Sequence, residues 1–260
     1  VGVIPARADA RVLAERFASE LQLPLLGMGT DPATLPPGQL ALWVESDAAA
    51  LRITGAGAPG PVPVTFRDPA LLHRRRGGQN ELLGRAVGCR RGRTPTVLDA
   101  TAGFGGDAFV LADHGCRVRM CERNPVMATL LRHALCAAQN DEDPWLREVT
   151  SRMTLLPRDA CSLDAPSLAD VDTIYLDPMF RVSRKAAPGK GMQALNLLLD
   201  GDAAEDSLLT WALRQRVQRV VVKRPRRAAA LPGPSPGHVL TGRSVRFDVY
   251  PGAAGTGRHD

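Results

Sequence analysis

The stretch from Val97 to Asp107, VLDATAGFGGD, most restricts what this chain can fold into. Val97-Leu98 is apolar and suited to a buried strand. Gly103, Gly105 and Gly106 then allow a tight turn, and Asp107 to His114 continues as an apolar helical segment. Strand, glycine turn and helix in that order open a parallel α/β sheet. The same alternation runs on. Strand-like segments at Thr96–Asp99, Val118–Glu122, Met153–Leu156, Thr173–Leu176 and Arg219–Lys223 are separated by helical ones at Asp107–His114, Pro125–Gln139 and Asp206–Gln218. A shorter helix falls near Met192–Leu199, and Gly242-Arg243 joins His238–Leu240 to Val245–Tyr250 as a hairpin. The sequence thus predicts a doubly wound α/β sheet with its strand C-termini along one edge.

Residues 1–66 read as a separate, small α+β unit, leaving 67–260 for the larger domain and its basic lead-in. Val1–Ile4 is a short strand, Ala8–Leu21 spaces Val12, Leu13, Phe17 and Leu21 as a helix does, and Leu40–Glu45 and Ala50–Thr54 form paired strands. Val62–Phe66 is a third strand in this reading, and no catalytic constellation falls in the unit.

Composition excludes several classes. No apolar stretch reaches the roughly 18–20 residues that span a bilayer, and Val1–Ala10 lacks the pattern of a secretory leader, so no membrane partner is expected and the cytoplasm is the expected compartment. Cys89, Cys116, Cys121, Cys136 and Cys161 include no C-x-x-C pair, and five scattered histidines make no metal-ligand spacing, so thiols and no metal are expected. The formal charge of +6 and a pI near 9.5 suit a polyanionic partner. Only Lys185, Lys190 and Lys223 are lysines, so the arginine total reflects a compositional bias and the clustering carries more weight: Arg74–Arg76, Arg90–Arg93, Arg181–Lys190 and Lys223–Arg227.

The glycine turn is a cofactor signal with two readings. Gly103-x-Gly105-x-x-Ala108 satisfies the dinucleotide fingerprint, and Glu122, closing the second strand, can bind a ribose diol in either a dinucleotide or S-adenosylmethionine. Three details favour the methyl donor. Asp99 and Thr101 precede the glycines and can orient the loop or meet the methionyl ammonium. Asp107 brings a carboxylate to the helix N-terminus, where a pyrophosphate would otherwise sit. Asp159, after the third strand, can accept a hydrogen bond from an adenine amino group.

The second constellation is Asp177-Pro178-Met179-Phe180, at the end of the fourth strand beside the point where strand order reverses. Methyl transfer from a sulfonium is an in-line displacement, so the acceptor lone pair must be held against the methyl carbon. An exocyclic base amino group is a poor nucleophile because its lone pair is delocalised into the ring. Asp177 and the Pro178 carbonyl can accept its two N–H bonds, and Phe180 offers a face for the base. A base in a duplex would first have to be flipped out.

Together Asp99–Ala112, Gly115–Pro125, Tyr175–Phe180, Val221–Pro225 and Arg246–Tyr250, with His73–Arg75, Gly77-Gly78 and Arg85–Gly88 ahead of them, resemble the bacterial small-subunit (16S) ribosomal RNA guanine-N2 methyltransferase J family. The resemblance runs from about residue 70 to 250. It implies a Rossmann-like S-adenosylmethionine-dependent methyltransferase sheet, with small-subunit ribosomal RNA or the ribosomal subunit as partner. Carried over by position, Gly106-Asp107, Glu122-Arg123, Asp159-Ala160 and Asp177 contact the cofactor; the glycine turn adds Gly103, and the chemistry argued above leaves Asp177, Pro178 and Phe180 to serve the acceptor. Lys223, Arg224 and Arg74–Arg76 are candidate phosphate contacts. The chain departs from the family pattern at Gly106, where Arg is usual, at Asp159-Ala160, where small hydroxyl residues are usual, and at Arg181, where Pro is usual. Open alternatives are a methyltransferase for DNA adenine or a small molecule, an NAD(P)-dependent oxidoreductase, and a non-catalytic RNA-binding module.

Overall fold

A computed structural model describes residues 2–67, 78–178, 189–198, 205–229 and 231–254. The chain divides into two units. The first gathers Val1–Thr65, Asn124–Ala137 and the described part of 180–202; the second holds Phe66–Arg123, 138–179 and the chain from 203 onward.

In the first unit β1 (Gly2–Pro5) lies parallel to β2 (Leu40–Val44), and β2 runs antiparallel to β3 (Ala49–Ile53), which pairs with β4 (Val62–Pro63). The third strand is shorter than the expected Val62–Phe66. Pro63 has no N–H to donate, and beyond it a single long bond to β3 remains, from the Val64 N–H to the Ala49 carbonyl at 3.4 Å. Helix α1 (Arg11–Leu21) buries Ala14, Phe17 and Ala18, and ends at Gln22 in the left-handed region, φ 53°. The part of the later helix α4 (Pro125–Gln139) that belongs to this unit meets α1: the Thr129 hydroxyl donates to Glu20 at 2.6 Å, Arg132 pairs with Glu20, and the rings of Phe17 and His133 meet edge to face at 5.5 Å. Asn124 caps α4 by accepting from Val126 and Met127 N–H. Its amide donates to the Leu198 carbonyl at the end of a helix spanning Lys190–Leu198.

The second unit is built on seven strands. They are β5 (Thr96–Asp99), β6 (Arg117–Cys121), β7 (Met153–Leu156), β8 (Thr173–Leu176), β9 (Arg219–Pro225), β10 (His238–Thr241) and β11 (Val245–Pro251), in the order β10-β11-β9-β8-β5-β6-β7. The five central strands are mutually parallel and the β10–β11 hairpin is added antiparallel, as the sequence pattern predicts. β5 lies between β6 and β8, so the strand order reverses there and a crevice for a ligand opens at its carboxyl end.

Two helices of this unit lie outside the expected pattern. Helix α2 (Gly78–Val87) falls in what reads as a basic lead-in; Gly88 at φ 101° ends it, and the Thr173 hydroxyl donates to the Val87 carbonyl at 2.9 Å. Helix α5 (Pro144–Ser151) starts on Asp143, whose carboxylate accepts the Trp145 N–H at 2.9 Å. Helix α3 (Gly106–Asp113) buries Ala108 to Ala112, and Phe109 stacks on Phe66 at 5.5 Å and meets Trp145 edge-on at 5.8 Å. The helix at Lys190–Leu198 is α6. Helix α7 (Glu205–Leu213) is shorter than Asp206–Gln218, because Arg214 to Gln218 turn back and the Gln218 N–H reaches the Asp172 carbonyl at 2.9 Å to launch β9.

Candidate active site

The site grows from the turn after β5. Ala100 N–H donates to the Tyr175 carbonyl and Ala102 N–H to the Cys121 carbonyl, each at 3.0 Å, so the turn is tied to β8 on one side and β6 on the other. Gly103 and Gly105 sit at φ 52° and 74°, where a β-carbon brings strain, and Gly105 hands the chain to α3. Glu122, just past β6 and 8% exposed, accepts the Gly103 N–H at 3.0 Å. The acid that ends the second strand is therefore fixed against the glycine turn.

Asp99 is buried at 1% exposure, and its Oδ1 accepts the Thr101 N–H at 3.0 Å and the Thr101 hydroxyl at 3.4 Å. That hydroxyl accepts the Asp177 N–H at 2.7 Å, which joins the ends of β5 and β8. Asp99 and Thr101 thus orient the loop, the first of the two roles anticipated for them. Burial pushes the Asp99 carboxyl up to about 8; Asp107 and Asp177 push the same way, and the Thr101 N–H and Lys223 pull against them.

Asp107, in the first turn of α3, is the centre of a charged cluster. Its Oδ2 accepts the Tyr175 hydroxyl and the Lys223 ammonium, both at 2.6 Å, and Lys223 also donates to Asp177 Oδ2 at 2.8 Å. Burial works against the Lys223 charge, yet the two carboxylates outweigh it and raise its pKa. Burial, with Asp107 and Asp177 nearby, drives the Tyr175 phenol well above its usual range, so it stays a donor. Among the described residues the cluster sets two carboxylates, Asp107 and Asp177, around the Lys223 ammonium.

Two of the candidate phosphate contacts already have partners. Lys223 is an ion-pair partner of Asp107 and Asp177. Arg224 is 6% exposed, with its Nη2 donating to the Ala229 carbonyl at 2.6 Å. The β8–β9 register explains it: Leu176 faces Val222, so the next residues along, Asp177 and Lys223, come side by side.

A second group stands at the ends of β6 and β7. Asp159 accepts the Cys161 N–H at 2.8 Å, capping a single turn at Ala160–Ser162, and its other oxygen lies 3.8 Å from Arg123 Nη1. Ala160 is buried. Pro178 is buried behind Asp177, whereas Phe180, Arg181 and Arg74–Arg76 lie outside the described residues. The residue that sequence reasoning missed is Tyr175. A tyrosine in a buried parallel strand must find a partner for its hydroxyl, and that was the available signal.

Among the described residues no group of three or more His, Cys, Asp or Glu is arranged to hold a metal. The chain matches the family model of SAM-dependent methyltransferases over residues 33–252. It is 43% identical over 249 residues to the ribosomal RNA small subunit methyltransferase J of Coxiella burnetii (strain RSA 331 / Henzerling II), covering 95% of this chain and 93% of that protein. The protein of the same name from Pseudomonas aeruginosa is 40% identical over 253 residues, covering 94% and 92%. The crystal structure of the SAM-dependent methyltransferase NGO1261 from Neisseria gonorrhoeae matches with a TM-score of 0.71 at 32% identity, covering all of both chains.

Proposed function

Because the chain belongs to the small-subunit ribosomal RNA methyltransferase J family, we propose that it methylates the N2 amino group of a guanine in 16S ribosomal RNA. It is an S-adenosylmethionine-dependent methyltransferase, which sets aside the nicotinamide-dependent alternative. The observation that supports the reading best is the convergence of Asp107, Asp177 and Lys223 where β8 ends beside β9.

The side chains suit the methyl donor. The Asp107 carboxylate in the first turn of α3 stands where a dinucleotide's pyrophosphate would sit, and a carboxylate there favours a sulfonium over phosphate. Gly103 and Gly106 let the backbone come close, Glu122 accepts hydrogen bonds from a ribose diol, and Arg123, Asp159 and Ala160 border the adenine. When bound, S-adenosylmethionine supplies an electrophilic methyl group on its sulfonium.

On the acceptor side the chain's task is orientation. Lys223 holds one oxygen of Asp177 at 2.8 Å and Thr101 holds its backbone N–H, so the carboxylate is fixed in direction. Asp177 and the Pro178 carbonyl accept the two N–H bonds of the guanine amino group. That draws its lone pair out of conjugation and aims it at the methyl carbon. Phe180 stacks on the base. A guanine in a helix reaches this position only when unpaired or flipped out.

The test is transfer of labelled methyl from S-adenosylmethionine to small-subunit RNA or subunits from a strain lacking this gene, followed by nucleoside analysis. Label in N2-methylguanosine is expected. Label in adenosine, or none in RNA alongside measurable donor binding, would overturn the reading.

A further inference from the structure

We infer that the turn after β9 and the β10–β11 turn together grip the ribonucleotide backbone flanking the target base, an inference that rests on the ribosomal RNA reading above. The first observation is in the sequence. Although 27 of the 260 residues are acidic, none falls between Asp206 and Asp248, a stretch that holds Arg214, Arg216, Arg219, Lys223, Arg224, Arg226, Arg227, Arg243 and Arg246.

The structure separates these cations by what they already hold. Lys223 is taken by Asp107 and Asp177. Arg224 is buried and donates to the Ala229 carbonyl. Arg246 forks onto Asp248 at 2.8 and 3.1 Å and donates to the Ala228 carbonyl at 2.7 Å and to that of Arg226 at 3.4 Å. By contrast Arg226, Arg227 and Arg243 are exposed and form no ion pair among the described residues.

Strand register brings those three to the site's edge. β9 runs parallel to β8, so its carboxyl end rises beside Asp177; Arg226 is three residues past Lys223, about 10 Å at the usual strand rise. β11 pairs with β9 from Val245 opposite Pro225, and the Arg226 N–H donates to the Ser244 carbonyl at 2.9 Å, which sets Arg243 alongside. That span is on the scale of the spacing between neighbouring phosphates of one strand, so phosphates next to a flipped base fall within reach.

Arg224 and Arg246 fix the carbonyls of the turn that displays Arg226 and Arg227, so little ordering is left to be lost on binding. Guanidinium groups are well suited to the task, because their planar fork pairs with phosphate through two parallel hydrogen bonds.

The experiment uses the full chain and undermethylated small-subunit RNA, in binding titrations between about 50 and 200 mM salt and in steady-state methyl transfer. In Arg226→Glu/Arg227→Glu/Arg243→Glu the KM for RNA is expected to rise about tenfold or more and the log–log salt slope to fall by about 2–3. kcat and donor affinity should stay within about twofold. The control is Arg117→Glu, exposed at the amino end of β6 and so away from the strand ends that carry the site, and it should change KM by less than about threefold. Equal losses in both variants, or an unchanged KM and slope in the triple variant, would overturn the inference while leaving the substrate reading intact. Loss confined to intact subunits, with naked RNA bound as before, would overturn it in favour of an acidic protein face. If the unaltered chain neither binds nor methylates small-subunit RNA, the substrate reading itself fails, and this inference with it.

Discussion

At the scale of single residues, the site depends on two buried charges in opposite situations. Asp99 has no cation in contact among the described residues and is pushed up to about 8, above its value in an unfolded chain. The folded state therefore keeps that proton longer. Stability from this group is greatest below about pH 4 and is lost as pH rises towards 8. Asp99→Asn keeps an oxygen for the Thr101 N–H and should flatten the loss: urea midpoints at pH 5 and pH 8 should differ less in the variant than in the unaltered chain. Equal differences would contradict the assignment. Lys223 is the reverse case, since removing it leaves Asp107 and Asp177 facing each other. Lys223→Met should cost about 3 kcal/mol in denaturant unfolding, the low end for a broken buried pair because the Asp177 side chain keeps 37% exposure. A cost below about 1 kcal/mol would mean the cluster is solvated like a surface pair. Asp107, Glu122 and Asp177 were legible in the sequence because their positions at strand ends and after glycines define them. Tyr175 and the pairing of Lys223 were not: the Tyr175–Asp107 bond joins residues 68 apart and the Lys223–Asp177 bond residues 46 apart, and both require the order and register of strands.

Elements were legible where period and flanking residues agreed. β5, β7 and β8 have the expected bounds, and the glycine turn, α4 and the terminal hairpin follow from local pattern. α5 had a start signal in Asp143-Pro144, with Leu146 and Val149 on its buried face, but its eight residues are too few for periodicity to stand out. α2 was hidden by the basic run before it, and the parallel pairing of β1 with β2 is a long-range choice that alternation cannot reveal. Asp143 is also the simplest element-scale test. Its carboxylate satisfies the Trp145 N–H, and Trp145 in turn packs on Phe109 of α3. Asp143→Ala should lower stability by about 1 kcal/mol in thermal or denaturant unfolding, with methyl transfer preserved at a temperature where the variant is folded. No change in stability would show that the cap contributes nothing to this helix end.

For the whole molecule, a strand order that reverses at β5 collects Asp99, Glu122 and Asp177 from three strands, and α3 adds Asp107. A net positive chain thus gathers its acidic side chains at the strand ends, while its exposed arginines suit a polyanion. No helix among the described residues is long and apolar enough to cross a membrane. In the proposed reaction Asp177 orients the acceptor amino group beside the donor site. The most direct test is single-turnover methyl transfer to undermethylated small-subunit RNA by the unaltered chain and by Asp177→Ala, at saturating donor and with folding checked by circular dichroism. A rate at least about a hundredfold lower is expected in the variant, whose fold is retained; a rate near that of the unaltered chain would show that Asp177 does not orient the acceptor.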